Sequence, residues 1–348
     1  MSSVSVIIPC YRYGHFLEES VGSALVGQDG VDVRVLIIDD ASPDDSAEQA
    51  RRIAAADPRV EVLVHERNRG HIATYNEGLT EWADGDYTVL LSADDKLTPG
   101  SLVRAAALLD ANPNVGFAYG HPIHFEHGLP LPEARTQSRG WSVWPGQWWL
   151  ERRFRAGTGC ITSPEVMVRT SLQREVGGYD PELPHAGDIE MWMRFAAHAD
   201  VGYVRHVDQA YYRLHGSNMS RTDFSGQLDD LGQRKVAYDA VLAKCGDRLA
   251  RRDQLADTIH RKLARQALWR AARAYDRGRT HQVPVDELVA FAKDCWPDYQ
   301  SLPEYRGLAV RRRVGTTVMP YLQPLVLSAV AHKGRERLWW RTWRRTGI

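Results

Sequence analysis

Residues 33–40 read VRVLIIDD, a run of branched apolar side chains that stops at two aspartates. Such a run is typical of a strand that is buried on both faces of a parallel sheet. Segments of ~10 to 20 residues with helical spacing separate it from its neighbours, which is the length that a crossover between parallel strands needs. The N-terminal third is therefore predicted to be α/β, with a mostly parallel central sheet flanked by helices. The other predicted strands in this part are Val4–Pro9, Val60–Val64 and Tyr87–Leu91.

Two pairs of aspartates follow predicted strands. Asp39-Asp40 comes after the strand quoted above, and Asp94-Asp95 comes shortly after Leu91. Open α/β sheets bind ligands in the crevice beyond the C-terminal ends of their parallel strands. Carboxylates gathered there can accept hydrogen bonds from a nucleotide and can hold a divalent metal ion. The sequence therefore predicts a nucleotide and metal site at this edge of the sheet.

Composition narrows the class of protein. With 348 residues the chain exceeds the ~250 at which a single core usually stops growing, so a second, appended part is expected. The formal net charge is zero, which argues against a general nucleic-acid binder. The four cysteines are widely spaced and include no C-x-x-C pair, which favours a reducing cytosol. We expect neither a signal peptide nor a membrane-spanning helix, because no window approaches 18 consecutive apolar residues.

The middle of the chain differs in character from its beginning. A strand predicted at Val115–Tyr119 leads into a segment rich in His, Pro and Gly, which is predicted to be a loop from His121 to Gly140. Asp188 stands at the start of an apolar pattern with helical spacing. From about Phe224 onward the periodicity is helical, and its clearest segments are Leu228–Leu242 and Asp253–Tyr275.

Several short motifs follow one another in a fixed order: Val4–Tyr11, Ile38–Ser42 with Asp44 and Ser46, Asn68–Gly70 with Asn76 and Gly78, Ser92–Asp95, Gly177–Asp180, Gly187-Asp188 ahead of Trp192–Arg194, and Tyr212–His215. In this combination they resemble an inverting family-2 glycosyltransferase with a GT-A fold, a member of the large group that uses nucleotide-diphosphate sugars. The resemblance extends over residues 3–220. It implies a GT-A catalytic domain over residues 1–223, with a nucleotide-binding half (1–120) and an acceptor-side half (121–223), followed by a helical region over 224–348.

The donor site implied by the resemblance centres on Asp40. Its carboxylate would accept the ring N–H of a pyrimidine base, while Pro9 and Tyr11 would lie along the base. Arg69 would contact phosphates, as could Arg213, although each could equally be a surface arginine. The alternative for the Asp39-Asp40 pair is that it only caps a helix starting near Ala41.

The resemblance also implies a metal site for Mn²⁺ or Mg²⁺. Asp95 would be the direct ligand, Asp94 would lie nearer the ribose, and His215 would stand by the metal or the pyrophosphate. A lone histidine is as often structural, and a solvated turn is the alternative for the two aspartates. Ser92 departs from the family pattern, which often has an acid at this position, and this weakens the predicted ribose contact more than the metal site.

Asp188 is the candidate general base. In an inverting displacement the acceptor hydroxyl attacks from the face opposite the leaving diphosphate, and one carboxylate takes its proton. A nucleophilic second carboxylate is not required. The alternative is that Asp188 is only the N-cap of its helix.

Aromatic and basic residues form two further segments. The tryptophans Trp141, Trp144, Trp148 and Trp149 could stack on an acceptor sugar or pack in the core. Residues 306–345 are basic, with tryptophans interleaved, so this tail could bind an anionic membrane surface or pack on the protein. Its main basic and aromatic residues are Arg311, Arg312, Arg313, Lys333, Arg335, Arg337, Trp339, Trp340, Arg341, Trp343, Arg344 and Arg345.

These observations together predict a cytoplasmic, non-processive, inverting glycosyltransferase. It would move one sugar from a nucleotide-diphosphate donor, UDP or dTDP being favoured, to a saccharide or glycoconjugate acceptor in surface polysaccharide synthesis. A processive synthase would carry a Gln-x-x-Arg-Trp motif, and a sugar nucleotidyltransferase would carry a glycine-rich phosphate loop near its N-terminus; the sequence has neither. The alternative function is a degenerate family member that acts as a binding, scaffold or membrane-associated module.

Overall fold

The computed structural model describes residues 1–216, 218, 227–322, 334 and 337–348. Lys333 and Arg335 of the basic tail lie outside these residues. The chain divides into two compact units. The first consists of Met1–Leu150, Gly159–Met219 and Arg345–Gly347, and the second of Glu151–Thr158, Ser220–Arg344 and Ile348.

A single mixed sheet forms the centre of the first unit. Its strands follow the order β3-β2-β1-β4-β8-β6-β9-β5, and β7 pairs with β9 beside this path. The four strands β3, β2, β1 and β4 are parallel to one another, whereas β8 runs antiparallel to both of its neighbours. In chain order the strands are β1 (Ser3–Cys10), β2 (Asp32–Asp39), β3 (Val60–Val64), β4 (Tyr87–Leu90), β5 (Lys96–Leu97), β6 (Val115–Glu126), β7 (Trp141–Trp144), β8 (Val166–Arg169) and β9 (Asp200–Leu214).

Helices connect these strands and make up the second unit. A π-helical segment, Glu77–Trp82, directly follows α3. Residues 337–346 are helical as well. The α-helices are α1 (Gly14–Leu25), α2 (Ser46–Ala56), α3 (His71–Asn76), α4 (Ser101–Ala111), α5 (Gly146–Ala156), α6 (Thr170–Val176), α7 (Gly187–Ala196), α8 (Gln227–Lys244), α9 (Arg252–Asp276), α10 (Val285–Cys295) and α11 (Pro303–Val314).

The predicted fold class is confirmed: the first unit is α/β, and the C-terminal part is helical. The registers explain why the acids gather at one edge. Val4 pairs with both Val33 and Tyr87, so β2 and β4 flank β1 and run in the same direction. The second half of β2 is buried completely, as expected for an apolar run with helices on both faces.

The loop predicted from His121 is wrong at its beginning. β6 continues from Val115 through His121 and Pro122 to Glu126, and over this length it pairs with β9 in parallel. The pairing shifts register between Tyr119 and His121 and again between His121 and Pro122. These irregularities allow a proline within the strand, because the ladder is interrupted where its missing N–H would be needed.

The second unit has its own apolar core. The long helix α9 contributes buried side chains at intervals of three and four residues, including Ile259, Leu263 and Leu268. An ion pair lies within this unit, because Arg311 Nε donates to Asp276 Oδ1 at 2.6 Å and both side chains are buried. Over the part of the chain that the structure describes, no helix combines the length and the apolar character needed to cross a bilayer.

Candidate active site

Asp40 directly follows β2 and is buried. Its Oδ1 atom accepts a hydrogen bond from the Arg69 backbone N–H at 2.7 Å and lies 2.7 Å from His65 Nδ1. Its Oδ2 atom accepts from the Gly70 backbone N–H at 2.9 Å. Burial alone would raise the pKa of Asp40, but the hydrogen bonds from His65, Arg69 and Gly70 outweigh it and lower that pKa. Asp40 is therefore an ionised carboxylate, and a carboxylate has further acceptor capacity on Oδ2.

Asp39 has a different environment from Asp40. Its Oδ2 accepts from the Ser42 backbone N–H at 3.0 Å, while its buried Oδ1 has no hydrogen-bond partner in the described chain. The capping alternative for this pair is wrong, because α2 begins only at Ser46. The side chain that binds Ser46 is Asp44, whose Oδ1 accepts from the Ser46 backbone N–H at 3.1 Å.

Two turns beside Asp40 contain residues with left-handed backbone. Arg12 has φ 62° and Ala41 has φ 57°, and neither is glycine. The two turns are joined, because the Arg12 backbone N–H donates to Ser42 Oγ at 2.9 Å. Such residues cost ~1–2 kcal/mol each in this conformation. Of the residues predicted to lie along the base, Tyr11 has an exposed ring and Pro9 is half-buried at the end of β1.

The second acid pair lies beyond β4 and contacts the C-terminal end of β9. Asp94 Oδ2 is 2.9 Å from His215 Nε2, and Asn218 Nδ2 donates to the same oxygen at 3.4 Å. Asp95 Oδ1 accepts from the Arg213 backbone N–H at 2.9 Å. Burial, and then the adjacent charge of Asp94, hold the pKa of Asp95 well above its usual range. The structure thus brings together the three predicted residues Asp94, Asp95 and His215, with His215 against Asp94.

The chemistry of this donor set fits a hard divalent cation. Two adjacent buried carboxylates repel each other, and a cation between them would relieve that repulsion. Within the described residues no group of three or more His, Cys, Asp or Glu side chains is arranged to hold a metal ion alone. Mg²⁺ and Mn²⁺ can be held by one or two carboxylates, with phosphates and water as their other ligands.

Arg213 is a buried residue rather than a surface arginine, so that alternative is wrong for it. Its Nε donates to the Asp94 carbonyl at 2.7 Å, and its Nη2 donates to Glu19 Oε2 at 2.8 Å. The guanidinium carbon lies 4.5 Å from the ring centroid of Phe16 and 4.7 Å from that of Phe125. Arg213 therefore fixes the acid pair to α1 and the end of β9.

Asp188 lies in the first turn of α7. The alternative that it is the N-cap is wrong, because Ala186 occupies that position and provides no side-chain cap. Asp188 Oδ1 accepts from the Ile189 backbone N–H at 2.7 Å. Burial raises the pKa of Asp188, and the backbone hydrogen bonds lower it by a smaller amount. The resulting pKa is about 6. A carboxylate with this pKa is ionised at neutral pH and still basic enough to accept a proton, which suits a general base.

Glu165 is a buried acid that couples to the candidate site and that the sequence did not indicate. It is 2% exposed, and burial raises its pKa to about 8, although bonds from Thr162 act in the opposite direction. The Thr162 backbone N–H donates to Glu165 Oε1 at 2.6 Å. The charge of Glu165 raises the pKa of Asp95, and that of Asp188 raises the pKa of Glu165. Glu165 therefore lies close enough to couple electrostatically to both predicted functional acids.

The loop before α7 is fixed to the nucleotide-binding half by Asn76. Asn76 Oδ1 accepts from the Tyr179 backbone N–H at 2.7 Å, and Asn76 Nδ2 donates to the Tyr179 carbonyl at 2.8 Å. A Cβ atom at Gly178 would lie 2.1 Å from Asn76 Oδ1, so only glycine fits there. Arg194 holds the same loop, donating to the Gly178 carbonyl at 2.6 Å while it pairs with the buried Glu190.

The tryptophan cluster lies away from the acids. β7, which carries Trp141 and Trp144, pairs with Val201–Val204, at the opposite end of β9 from Arg213. Trp149 is fully buried, so core packing is confirmed for it, whereas Trp141 and Trp148 are exposed. This placement does not support an acceptor platform next to the acids.

The comparisons with known proteins identify the family. The model of "Glycosyl transferase family 2" matches residues 5–169. TuaG of Bacillus subtilis, which is named for a glycosyltransferase role in teichuronic acid biosynthesis, is 30% identical over 224 residues, a match that covers 62% of this chain and 81% of TuaG. The chain therefore belongs to glycosyl transferase family 2.

Other relatives differ in length. Chondroitin synthase of Pasteurella multocida is 25% identical over 219 residues, which cover 62% of this chain but only 21% of the synthase. The chain thus spans about a fifth of that protein.

Solved structures share the fold. TarS 1–349 of S. aureus in complex with UDP-GlcNAc aligns with a TM-score of 0.61 at 17% identity, covering 94% of this chain and 92% of TarS. The mannosyltransferase PcManGT of Pyrobaculum calidifontis, in complex with GDP-Man and Mn²⁺, aligns with a TM-score of 0.51 at 14% identity, covering 94% of this chain and 86% of that one. The GT-A fold is therefore established.

Proposed function

We propose that this protein is an inverting, non-processive glycosyltransferase that moves one sugar from a UDP- or dTDP-sugar to an acceptor hydroxyl. The observation that carries the proposal is the arrangement of three acidic groups. Asp40 is ionised beyond β2, the Asp94-Asp95 pair meets His215 beyond β4, and Asp188 has a pKa of about 6. A protein that only binds a partner needs none of these three features.

The donor would bind with its base at Asp40 and its diphosphate near the second acid pair. A free acceptor position on Asp40 Oδ2 suits the ring N–H of uracil or thymine. Asp94, Asp95 and His215 would hold Mn²⁺ or Mg²⁺, which as a Lewis acid would stabilise the charge of the departing diphosphate. Arg69, whose side chain is 44% exposed and paired with Glu77, would contact a phosphate from the rim of the site.

Asp188 would act on the acceptor. Its carboxylate accepts the proton of the acceptor hydroxyl while that oxygen forms its bond to the anomeric carbon. The bond from the same carbon to the diphosphate oxygen breaks on the opposite face, so the configuration inverts. Glu165, with a pKa of about 8, is a weaker acid than Asp188, whose pKa is about 6, so Asp188 loses its proton first as pH rises.

The biosynthetic role and the cellular location are proposed from the family and from the cysteines. Surface polysaccharide or glycoconjugate synthesis is the proposed pathway class, as the name of TuaG suggests for that relative. The cytoplasm is the proposed location, because the four cysteines are buried and widely spaced along the chain, with no C-x-x-C pair.

A role at an anionic membrane surface is the second part of the proposal. In the helical residues 337–346, Leu338 is 65% exposed and Trp340 45% exposed, whereas Trp343 is buried. Arg337 and Arg341 are exposed on the same segment. Each basic residue near anionic headgroups contributes ~1 kcal/mol, so the segment would bring the enzyme to a lipid-linked acceptor. The membrane role predicts that the protein sediments with phosphatidylserine vesicles but not with phosphatidylcholine vesicles, and that the double variant Leu338→Ala/Trp340→Ala does not sediment with either. Equal sedimentation of the wild type and the double variant would refute the membrane role.

Donor turnover tests the enzyme proposal. The full chain is incubated with UDP-, dTDP- and GDP-hexoses and Mn²⁺, and the released nucleoside diphosphate is measured with and without a mixture of saccharide acceptors. We expect release from one uridine or thymidine sugar, stimulated by an acceptor, with inverted anomeric configuration in the product. Release from none of the donors would favour the scaffold alternative.

A further inference from the structure

His65 lies directly after β3 with both ring nitrogens against carboxylates. Nδ1 is 2.7 Å from Asp40 Oδ1, and Nε2 is 2.8 Å from Glu77 Oε2. The histidine side chain is 4% exposed and that of Asp40 5%, so water does not separate the three groups. Arg69 completes the cluster, because its Nη1 donates to the same Glu77 oxygen at 2.6 Å and lies 3.5 Å from His65 Nε2.

The number of N–H donors decides the charge of the ring. A neutral imidazole has one N–H, so one of its nitrogens would direct a lone pair at a carboxylate oxygen less than 3 Å away. The backbone N–H groups of Arg69 and Gly70 keep Asp40 ionised, and the carboxylate of Glu77 pairs with the guanidinium of Arg69. Both contacts are therefore favourable hydrogen bonds only if each ring nitrogen carries a proton.

We infer that His65 is a positively charged positioning residue that bridges Asp40 and Glu77 and thereby fixes the carboxylate that recognises the donor base. The inference deepens the proposed function and rests on it for the role of Asp40. With the ring protonated, the charges of Asp40, Glu77, His65 and Arg69 balance. With the ring neutral, the cluster has a net negative charge, and either the bond to Asp40 or the bond to Glu77 is lost.

The consequence for binding follows from the acceptor positions of Asp40. Oδ1 is occupied by His65 and the Arg69 backbone N–H, which leaves Oδ2, with its single bond from Gly70, as the oxygen with capacity for the base N–H. Loss of the bridge would remove the hydrogen bond of His65 to Asp40 Oδ1 and would leave more negative charge beside the base. Base affinity should therefore fall when His65 is replaced by a side chain that carries no charge. The charged groups that face the ring are Asp40, Glu77 and Arg69.

Nitrogen NMR of the histidine rings in the full chain reads the charge state without any ligand. The His65 signals are identified by their absence in His65→Gln, and independently in His65→Asn. We expect both His65 nitrogens to have the chemical shift of protonated nitrogens at pH 7. One protonated and one unprotonated nitrogen would overturn the inference.

Binding of uridine tests the coupling to the base. Uridine carries no phosphate, so neither phosphate nor metal titration contributes. We expect His65→Gln to weaken uridine binding about tenfold at pH 7. This fold-change corresponds to the contribution of one charge-assisted hydrogen bond to binding. The matched control is His198→Gln, whose ring pairs with Glu175 at 3.2 Å elsewhere in the same unit.

The results of the two experiments distinguish the positioning role of His65 from the proposed glycosyltransferase function. A protonated His65 in a protein that binds no nucleotide would contradict the proposed function, while the NMR result would still establish the bridge. Uridine binding that is equal in wild type and His65→Gln would overturn the positioning role while the proposed function stands.

Discussion

His215 Nε2 lies 2.9 Å from Asp94 Oδ2, so the end of β9 meets the end of β4 at an acidic centre. The imidazole is held in place by aromatic neighbours, with its centroid 5.4 Å from that of Tyr13 and 5.7 Å from that of Phe16. In the proposed function, this ring and the Asp94 carboxylate would bind the cation together.

His215→Ala should weaken metal-supported UDP binding. We expect a loss of ~10- to 100-fold with Mn²⁺, which is the range for removing a group that binds or orients a metal. With EDTA present, the variant and the wild type should bind UDP equally. The measurement is titration calorimetry, with His198→Gln as the matched control. An equal loss with and without metal would show that His215 only supports the loop.

Asp188→Asn should reduce turnover by ~10²- to 10⁴-fold, because a general base contributes about that much. UDP affinity should remain unchanged, since Asp188 does not contact the base pocket. In the wild type, the ionised form is the active one, so kcat/KM should rise with pH through about 6 and then level off. A pH profile that stays flat between 5 and 8 in the wild type would contradict this role.

The sequence predicted the parts of the site that follow strands. Asp40, Asp94 and Asp95 were predictable because runs of branched apolar residues locate the strand ends, and parallel strands bring those ends to one edge. His65, Glu77 and Glu165 were not predictable. His65 follows the short strand β3, Glu77 begins the π-helical segment and Glu165 precedes β8, and none of them belongs to a recognisable motif. Their contacts arise only when the chain folds.

Dependence on distant contacts also explains why the loop predicted from His121 was wrong. His121 and Pro122 have the composition of a loop, so the sequence did not indicate that β6 continues through them. Their strand conformation depends on a long parallel pairing with β9. The paired residues lie 84 to 88 positions apart in the chain, as in Phe117 with Val201 and Glu126 with Leu214. Local propensity carries no information about such a partner.

Glu190→Gln should destabilise the first unit strongly. Glu190 is fully buried and pairs with the buried guanidinium of Arg194. Glutamine carries no charge, so the substitution leaves that guanidinium without a charged partner. We expect a loss of ~3–5 kcal/mol, measured by scanning calorimetry. The control is Asp84→Asn, which breaks an exposed pair with Arg34 and should cost less than ~1 kcal/mol. Equal effects of the two substitutions would contradict this account of the buried pair.

Ala41→Gly should stabilise the protein. Ala41 has φ 57°, and relief of ~1–2 kcal/mol of left-handed strain exceeds the ~0.4–1 kcal/mol that glycine loses through the unfolded chain. A net gain of up to ~1 kcal/mol is expected from denaturant unfolding. Ala107→Gly, in the exposed interior of α4, is the opposite control and should cost ~1 kcal/mol. A loss of stability in Ala41→Gly would show that the turn is not strained.

The central claim is that a nucleotide-diphosphate donor and a divalent metal bind together at the strand ends. Titration calorimetry of the full chain with UDP, dTDP and GDP, each with Mn²⁺ and again with EDTA, tests it most directly. The account predicts metal-dependent binding of UDP or dTDP that is lost in Asp95→Ala and is retained in Asp84→Asn. Absence of binding to all three nucleotides with Mn²⁺, or binding that Asp95→Ala leaves unchanged, would contradict it.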